Sequence, residues 1–311
     1  MRRPTWRLEK EAIEGLKKAS DEARRLRRIA RDAKREKQRQ ASWGRAAKMR
    51  ATRLLNELEN PAAAPLSTPR RFHVGCSGWY YWHWKGSFYP EELPRADWFR
   101  HYAENFDTVE LNAPFYSWPT LATVKTWIRQ AEPSEGFVYT IKVSELITHV
   151  EKFEGVRDLV LDFGFIANLL GPRFGCFLFQ LPASFTFTPA RLESIVSALD
   201  PARRNVVEFR HKSWWNADVY SAFQEHGIIF CSCSGPRLPD DLVKTTDDVY
   251  VRFHGTSRWY RHDYTTDELT VWADRIRESG ARQSWIYFNN DFDRYAIKNA
   301  KELLQLLGDS P

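Results

Sequence analysis

A chain of 311 residues with 43% hydrophobic and 14% aromatic content, including 13 Trp and 20 Phe, carries ample apolar surface for a buried core, which excludes disorder throughout. No stretch approaches the roughly 18 consecutive apolar residues of a membrane span, and the charged start lacks the apolar core of a secretory leader. Residues 1–70 hold 20 Lys and Arg against 9 Asp and Glu, whereas residues 71–311 hold 26 against 31, so any argument for a polyanionic partner rests on the amino-terminal extension.

From residue 11 to about 59 the chain is dense in Ala, Arg, Lys, Glu and Leu without proline, a helix-favouring composition. Leu16, Ala19, Ala23, Leu26, Ala30 and Ala33 follow helical spacing. That narrow, mostly alanine stripe suits either a solvated helix or one docked on a partner. Gly44 is expected to interrupt it. An organelle transit peptide is disfavoured by Glu9, Glu11, Glu14, Asp21 and Glu22. The run PAAAPLSTP then breaks any helix and predicts a semi-extended linker over residues 61–71. A basic extension, residues 1–60, is thereby separated from a globular unit, residues 72–307.

In that unit, apolar runs at residues 72–77, 108–112, 138–142, 176–180, 205–210, 228–232, 249–254 and 284–289 alternate with amphipathic stretches. The stretches cover residues 121–131, 157–170, 191–199, 219–226, 267–278 and 296–307. Eight strands alternating with helices imply parallel pairing, and eight is the number that closes a (β/α)8 TIM-type barrel; an open doubly wound sheet is the alternative. Gly235, Pro236 and Pro239 crowd residues 232–248, so the sixth helix should be short or missing. Cys76, Cys176, Cys231 and Cys233 fall in or at the ends of strand-like runs without paired metal spacing. They read as reduced, buried thiols of a cytoplasmic protein.

Side chains alternate across a strand, so parity sorts the two faces. The apolar set (Val109, Leu111, Ile141, Phe177, Phe179, Val207, Phe209, Val249, Val251, Phe253, Ile286, Phe288) should face the helices. Glu110, Asn112, Lys142, Gln180, Glu208, Arg210, Tyr250, Arg252, His254, Tyr287 and Asn289 then point inward. Unpaired internal charges are costly, so these groups must satisfy one another, water or a ligand. Most stand at carboxyl strand ends, where barrel active sites lie. A purely structural ion pair, such as Glu208 with Arg252, is the plainer reading of any one of them.

The segments VGCSGWYYWHWKGSFYP (74–90), FDTVELNAPFYSWP (106–119), ITH (147–149), FLFQLPASF (177–185), EFRHKSWW (208–215), VRFHG (251–255) and YFNND (287–291) closely resemble the YecE-like family, domain of unknown function 72. The resemblance spans essentially residues 72–307 and implies a TIM-type barrel with no established reaction. Matching motif positions are Ser77, Gly78, Trp79, Glu110, Asn112, Phe115, Tyr116, Lys142, Thr148, His149, Gln180, Pro182, Glu208, Arg210, His211, Trp214, His254, Gly255, Asn289 and Asn290. Where family members often carry an aspartate after strand six, this chain has Cys231-Ser232-Cys233-Ser234. The basic extension lies outside the family pattern.

Two function classes fit these residues. In the first, Glu110, Lys142, Glu208 and His254 are catalytic. Glu110 and Glu208 would act as a hydrolase-like acid/base pair whose pKa values are pushed apart by cations and burial, on an anionic or polyhydroxylated substrate such as a sugar, phosphoester or nucleic-acid component. Ser77, Trp79, Asn112, Tyr116, His149, Gln180, Arg210, His211, Trp214, Arg252, Asn289 and Asn290 would bind the ligand. A metal variant using His149, His211 or His254 with Glu110, Glu208 and Asp291 lacks any local ligand motif, so no cofactor is predicted and a divalent metal stays an alternative without a motif behind it. A Schiff-base role for Lys142 ranks last, because two nearby glutamates should raise its pKa. In the second class the barrel is a non-catalytic anion binder whose basic helix, residues 1–60, contacts RNA or DNA. No membrane association is expected.

Overall fold

The computed structural model describes the backbone of residues 5–59 and 71–308 and the side chains of residues 20–57 and 71–308. Apart from Arg71, the predicted linker lies outside the described residues. Eight parallel strands succeed one another in chain order: β1 (Phe72–Cys76), β2 (Thr108–Leu111), β3 (Val138–Lys142), β4 (Phe174–Gln180), β5 (Asn205–Glu208), β6 (Ile229–Ser234), β7 (Asp248–Phe253) and β8 (Gln283–Phe288). They form one sheet in the order β1-β8-β7-β6-β5-β4-β3-β2, a nearly closed (β/α)8 barrel. An amino-terminal helix α1 (Thr5–Glu59) precedes it. Around the barrel lie α2 (Trp98–Ala103), α3 (Ala113–Tyr116), α4 (Leu121–Ala131), α5 (Arg157–Leu170), α6 (Pro189–Ala198), α7 (Ala217–Glu225), α8 (Thr266–Glu278) and α9 (Tyr295–Leu307). No helix intervenes between β6 and β7, as the Gly and Pro content there predicts. Side chains replace the missing hydrogen bonds: Ser232 Oγ accepts from Val243 N at 2.8 Å and Thr245 Oγ1 from Phe230 N at 3.0 Å.

Strand alternation divides the core in two. The outward set, including Val109, Ile141, Phe177, Val207, Val251 and Ile286, merges with the helices. Inside the barrel Val138, Cys176, Leu178, Val206, Ile229, Cys231, Cys233, Tyr250, Trp285 and Tyr287 form a separate plug. All four cysteines are buried and unbridged. This plug floors the site above it.

β1 and β2 are not paired by a backbone ladder. A tyrosine from α2 bridges them: Cys76 N donates to Tyr102 Oη at 2.9 Å, and that hydroxyl donates to Thr108 O at 3.0 Å. Gly75 permits this close approach, since a Cβ there would lie 2.3 Å from Thr108 O. Tyr102→Phe strands a buried N–H and a buried carbonyl, so it should cost about 1–3 kcal/mol. Urea denaturation with unchanged spectroscopic baselines would measure that loss.

α1 is continuous through Gly44, against the interruption expected. A single helical glycine costs only about 1 kcal/mol, and docking of the following turns offsets it. The docked face also differs from the predicted alanine stripe. Leu26 is exposed, Ala23, Ala30 and Ala33 face solvent, and Leu16 and Ala19 lie outside the described side chains. Instead Ser42, Ala46, Met49 and Arg53 are buried. Arg53 Nε pairs with Asp162 at 2.9 Å and Arg50 with Asp158 at 2.8 Å, both on α5. Higher up, Arg45 donates to Ser117 Oγ at 3.0 Å, and Arg35 and Arg39 both reach Glu145, at 2.5 and 3.2 Å. Burial pushes the Glu145 carboxyl up, but the hydrogen bonds from Arg35 and Arg39 outweigh it and hold it below the ordinary value. Five arginines of the extension thus serve the barrel. Arg35→Ala combined with Arg39→Ala should speed amide exchange in residues 35–50 and around Glu145, with the far side of the barrel unaltered.

Candidate active site

Above the aromatic plug, the strand ends deliver a layer of charge organised by Arg252. The guanidinium, 0% exposed, spans two carboxylates: Nη2 lies 2.6 Å from Glu110 Oε1 and Nη1 lies 2.5 Å from Glu208 Oε2. Ser77 Oγ donates to Glu110 Oε1 at 2.8 Å and Tyr250 Oη to Glu110 Oε2 at 2.6 Å. Glu208 Oε1 is held by Arg210 Nε, with His254 Nε2 at 3.2 Å. All four carboxylate oxygens therefore have partners. Burial alone would raise Glu208, yet Arg210, Arg252 and the His254 hydrogen bond hold it well below the carboxylate range. The His254 imidazole is driven well below its ordinary pKa by burial and by Arg210 and Arg252.

Glu110 and Glu208 are thus poorly suited to the acid/base partnership expected of them. A general acid needs access to substrate, and these fully buried groups are instead occupied by two guanidiniums. The predicted structural pair Glu208–Arg252 is present, with Glu110 as a third member.

Lys142 is different. Its side chain ends the inward row of β3, is 9% exposed, and makes no ion pair or hydrogen bond among the described residues. Its Nζ lies 4.1 Å from the centre of the Phe115 ring. Burial, then Arg252, lower its pKa; Glu208 opposes this, Arg210 adds to it, and the result is about 7. The neighbouring glutamates do act to raise it, as expected, but burial and the two arginines outweigh them.

A family model described as "Protein of unknown function DUF72" matches residues 73–311. The chain belongs to the DUF72 family. It is 24% identical over 274 residues to the UPF0759 protein YunF of Bacillus subtilis, covering 76% of this chain and 94% of that one. It is 33% identical over 117 residues to the UPF0759 protein YecE of Escherichia coli, 37% of this chain and 42% of that relative. A DUF72 family protein of Thermotoga maritima superimposes with a TM-score of 0.69 at 28% identity, covering 77% of this chain and all, 100%, of that one. One from Enterococcus faecalis gives 0.66 at 17% identity over 77% and 96% of the two chains and speaks to the fold alone.

Several other predicted positions of this DUF72 barrel gather at the same mouth. Asn112 Nδ2 donates to Ser77 O at 3.0 Å across the β1–β2 seam. Asn289 Nδ2 is 3.4 Å from His254 Nδ1. Gln180 turns its amide nitrogen to Leu181 O at 2.6 Å. His149, on a π-helical turn (Leu146–Val150), contacts Thr148 Oγ1 at 2.9 Å and is lowered to about 4 by burial and then by Lys142. Tyr116 is exposed, and Trp79 packs edge-on against Phe99.

Three expected ligand-binding residues do not join the site. Trp214 is stacked on Phe209 at 4.0 Å and donates to Phe185 O at 2.7 Å within the outer core. His211 caps a short turn, its Nδ1 accepting from Ser213 N at 3.2 Å. Asn290 is buried and donates to His262 O and to Asn299 Oδ1, each at 2.8 Å, tying the last loop to α9. In each, a local backbone role explains the residue.

Parity places Tyr250 inward but does not reveal it as a Glu110 donor. Trp259 was missed altogether; it lies 4.4 Å beneath the Arg210 guanidinium. An aromatic beside the arginines in GTSRWYRH, residues 255–262, was its only signal. Among the described residues Glu208, Cys233 and His254 offer ligand atoms within 4.8 Å of one another. A dication there would face Arg210 and Arg252, both already in contact with Glu208, so the charge balance opposes it. No described helix is long and apolar enough to cross a membrane.

Proposed function

We propose that the mouth of the barrel is the active site of an enzyme acting on an anionic or polyhydroxylated molecule, a sugar, phosphoester or nucleic-acid component, with Lys142 as its acid/base group. The observation that carries this reading is an amine buried at the convergence of the strands with no counter-ion of its own among the described residues, lowered to about 7. Such an amine is available in both protonation states at neutral pH, as proton transfer requires. The two carboxylates and two guanidiniums beneath it balance in formal charge, so protonated Lys142 gives the cluster its net positive charge. An anion entering the mouth would meet that charge together with the edge of Arg210. The hydrolase-like chemistry expected of Glu110 and Glu208 passes in this reading to the lysine they help to surround.

The test is direct titration of the amine. Protein reductively methylated with carbon-13 should show one dimethyl-lysine resonance, lost in Lys142→Arg, with a midpoint near 7 rather than near the ordinary 10.5. Inorganic phosphate should move that midpoint upward. An ordinary midpoint, or one indifferent to phosphate and to other small anions, would remove Lys142 from this role.

A further inference from the structure

The carboxyl face of the barrel and the free part of α1 share a chemistry that the buried cluster does not explain. The contacts of α1 run from Arg53 beside the middle of α5 to Arg35 beside Glu145, just beyond the end of β3. The helix therefore descends the flank, and the turns before Arg35 project past the mouth. Residues 20–34 extend it by about 22 Å at the helical rise and are exposed throughout. They carry Arg24, Arg25, Arg27, Arg28, Arg31 and Lys34 against Asp21, Glu22 and Asp32. Arg25, Arg27 and Lys34 have no carboxylate partner among the described residues.

A second cationic feature lies at the ends of β6 and β7, across the barrel from the β3 edge beside α1. It is a cleft of about 600 Å³ whose walls include Arg237, Arg258, Trp259 and Arg261. Trp259 connects it to the mouth through its stack with Arg210.

The third observation concerns exposed aromatics. Among the described residues of the barrel these are Tyr80, Trp82, Tyr116, Tyr260 and Phe292. Tyr80 and Trp82 follow β1, Tyr116 ends α3 just after β2, Tyr260 follows β7, and Phe292 follows β8. All five follow carboxyl ends of strands, Tyr116 on the one-turn α3 that opens the loop after β2. Two lie under guanidiniums, Trp82 at 3.3 Å from Arg95 and Phe292 at 4.0 Å from Arg261. Each ring leaves a large part of its surface in water, and the gathering of all five at the carboxyl ends of the strands marks a contact surface.

Arginines that track a phosphate backbone, interleaved with rings on which unpaired bases can stack, are the chemistry of single-strand recognition. We infer that this face, with the overhang of α1, binds single-stranded nucleic acid. The surface extends the anion site of the mouth, but its rings and arginines bind whether or not Lys142 reacts. A duplex would satisfy the arginines and leave the rings unused.

The experiment is fluorescence anisotropy of the full chain with labelled oligothymidylate of about 20 nucleotides and with a duplex of equal length, at low and moderate salt. The single strand should bind at least about tenfold more tightly than the duplex. Trp82→Ala and Phe292→Ala should each weaken it about tenfold with the salt dependence unchanged. Replacing Arg24, Arg25, Arg27 and Arg28 together by alanine should lower the salt slope by about 3. All these positions are exposed, so the variants should remain folded. Equal affinity for the duplex, wild-type binding by the aromatic variants, or no binding at low salt would overturn the proposal. A parent protein that binds the strand as expected while its Lys142 titrates near the ordinary 10.5 would count against the catalytic reading alone.

Discussion

Arg252→Leu is expected to destabilise the barrel by about 3–5 kcal/mol, a large share of the roughly 5–15 kcal/mol that holds a typical domain folded. The guanidinium spans Glu110 and Glu208 at 2.6 and 2.5 Å with all three side chains essentially inaccessible. Leucine would leave both carboxylates inside with less compensation. They are not left equal, however. Glu208 keeps Arg210 and His254, whereas Glu110 keeps only the hydroxyls of Ser77 and Tyr250. Adding Glu110→Gln to Arg252→Leu should therefore recover part of the loss, and adding Glu208→Gln should recover less. Arg252→Lys should rescue poorly, because an ammonium cannot bridge two carboxylates as a planar fork does. Urea denaturation near neutral pH measures each difference. A loss below about 1 kcal/mol, the size of an exposed pair, would contradict the clamp.

Lys142→Met should have the opposite sign. The amine titrates near 7 in the folded protein against 10.5 ordinarily, so between these values the unfolded chain holds the extra proton. The lysine accordingly weakens folding more and more as pH falls from 10.5 to 7, and by a constant amount below 7. Removing it should stabilise the protein by up to about 5 kcal/mol below neutrality, a gain that fades towards pH 10.5. The same variant should lose the stabilisation that inorganic phosphate gives the parent. A side chain whose removal strengthens the fold and abolishes ligand response is retained for chemistry rather than architecture. Equal stability of variant and parent at acidic pH would show that the amine is not buried without a partner.

The architecture was largely readable from the chain because burial imposes strong periodicities. All eight strands fall within the predicted apolar runs or within two residues of them. Leu121–Ala131 and Arg157–Leu170 match their predicted helices end to end. Parity sorted inward from outward correctly because the outer helices demand apolar partners and the barrel mouth does not. What parity cannot supply is who pairs with whom. It put Glu110, Lys142, Glu208 and Arg252 on one face, but the sign of the Lys142 shift is set first by how deeply the amine is buried and then by Arg252, which spacing alone does not give. Trp214, His211 and Asn290 stand apart from that charged layer for a related reason. Polar or aromatic residues near strand ends also cap turns and pack loops, and nothing in their spacing separates the two roles. In α1 the alanine stripe looked like a seam, whereas the docked turns use Ser42, Ala46, Met49 and Arg53. Their partners lie on α5 and the loops of a domain distant in sequence, which helical spacing alone cannot locate.

The two stretches of α1 answer to different demands under mutation. From Arg35 onward its side chains are tied to Glu145, Ser117, Asp158 and Asp162, so change there is limited by the need to fold. Residues 20–34 touch none of these, so their charge and reach can drift or be re-engineered while the barrel stays intact. One uninterrupted helix joins an anchor constrained by folding to an arm free of that constraint, so what the protein meets can be adjusted separately from how it folds.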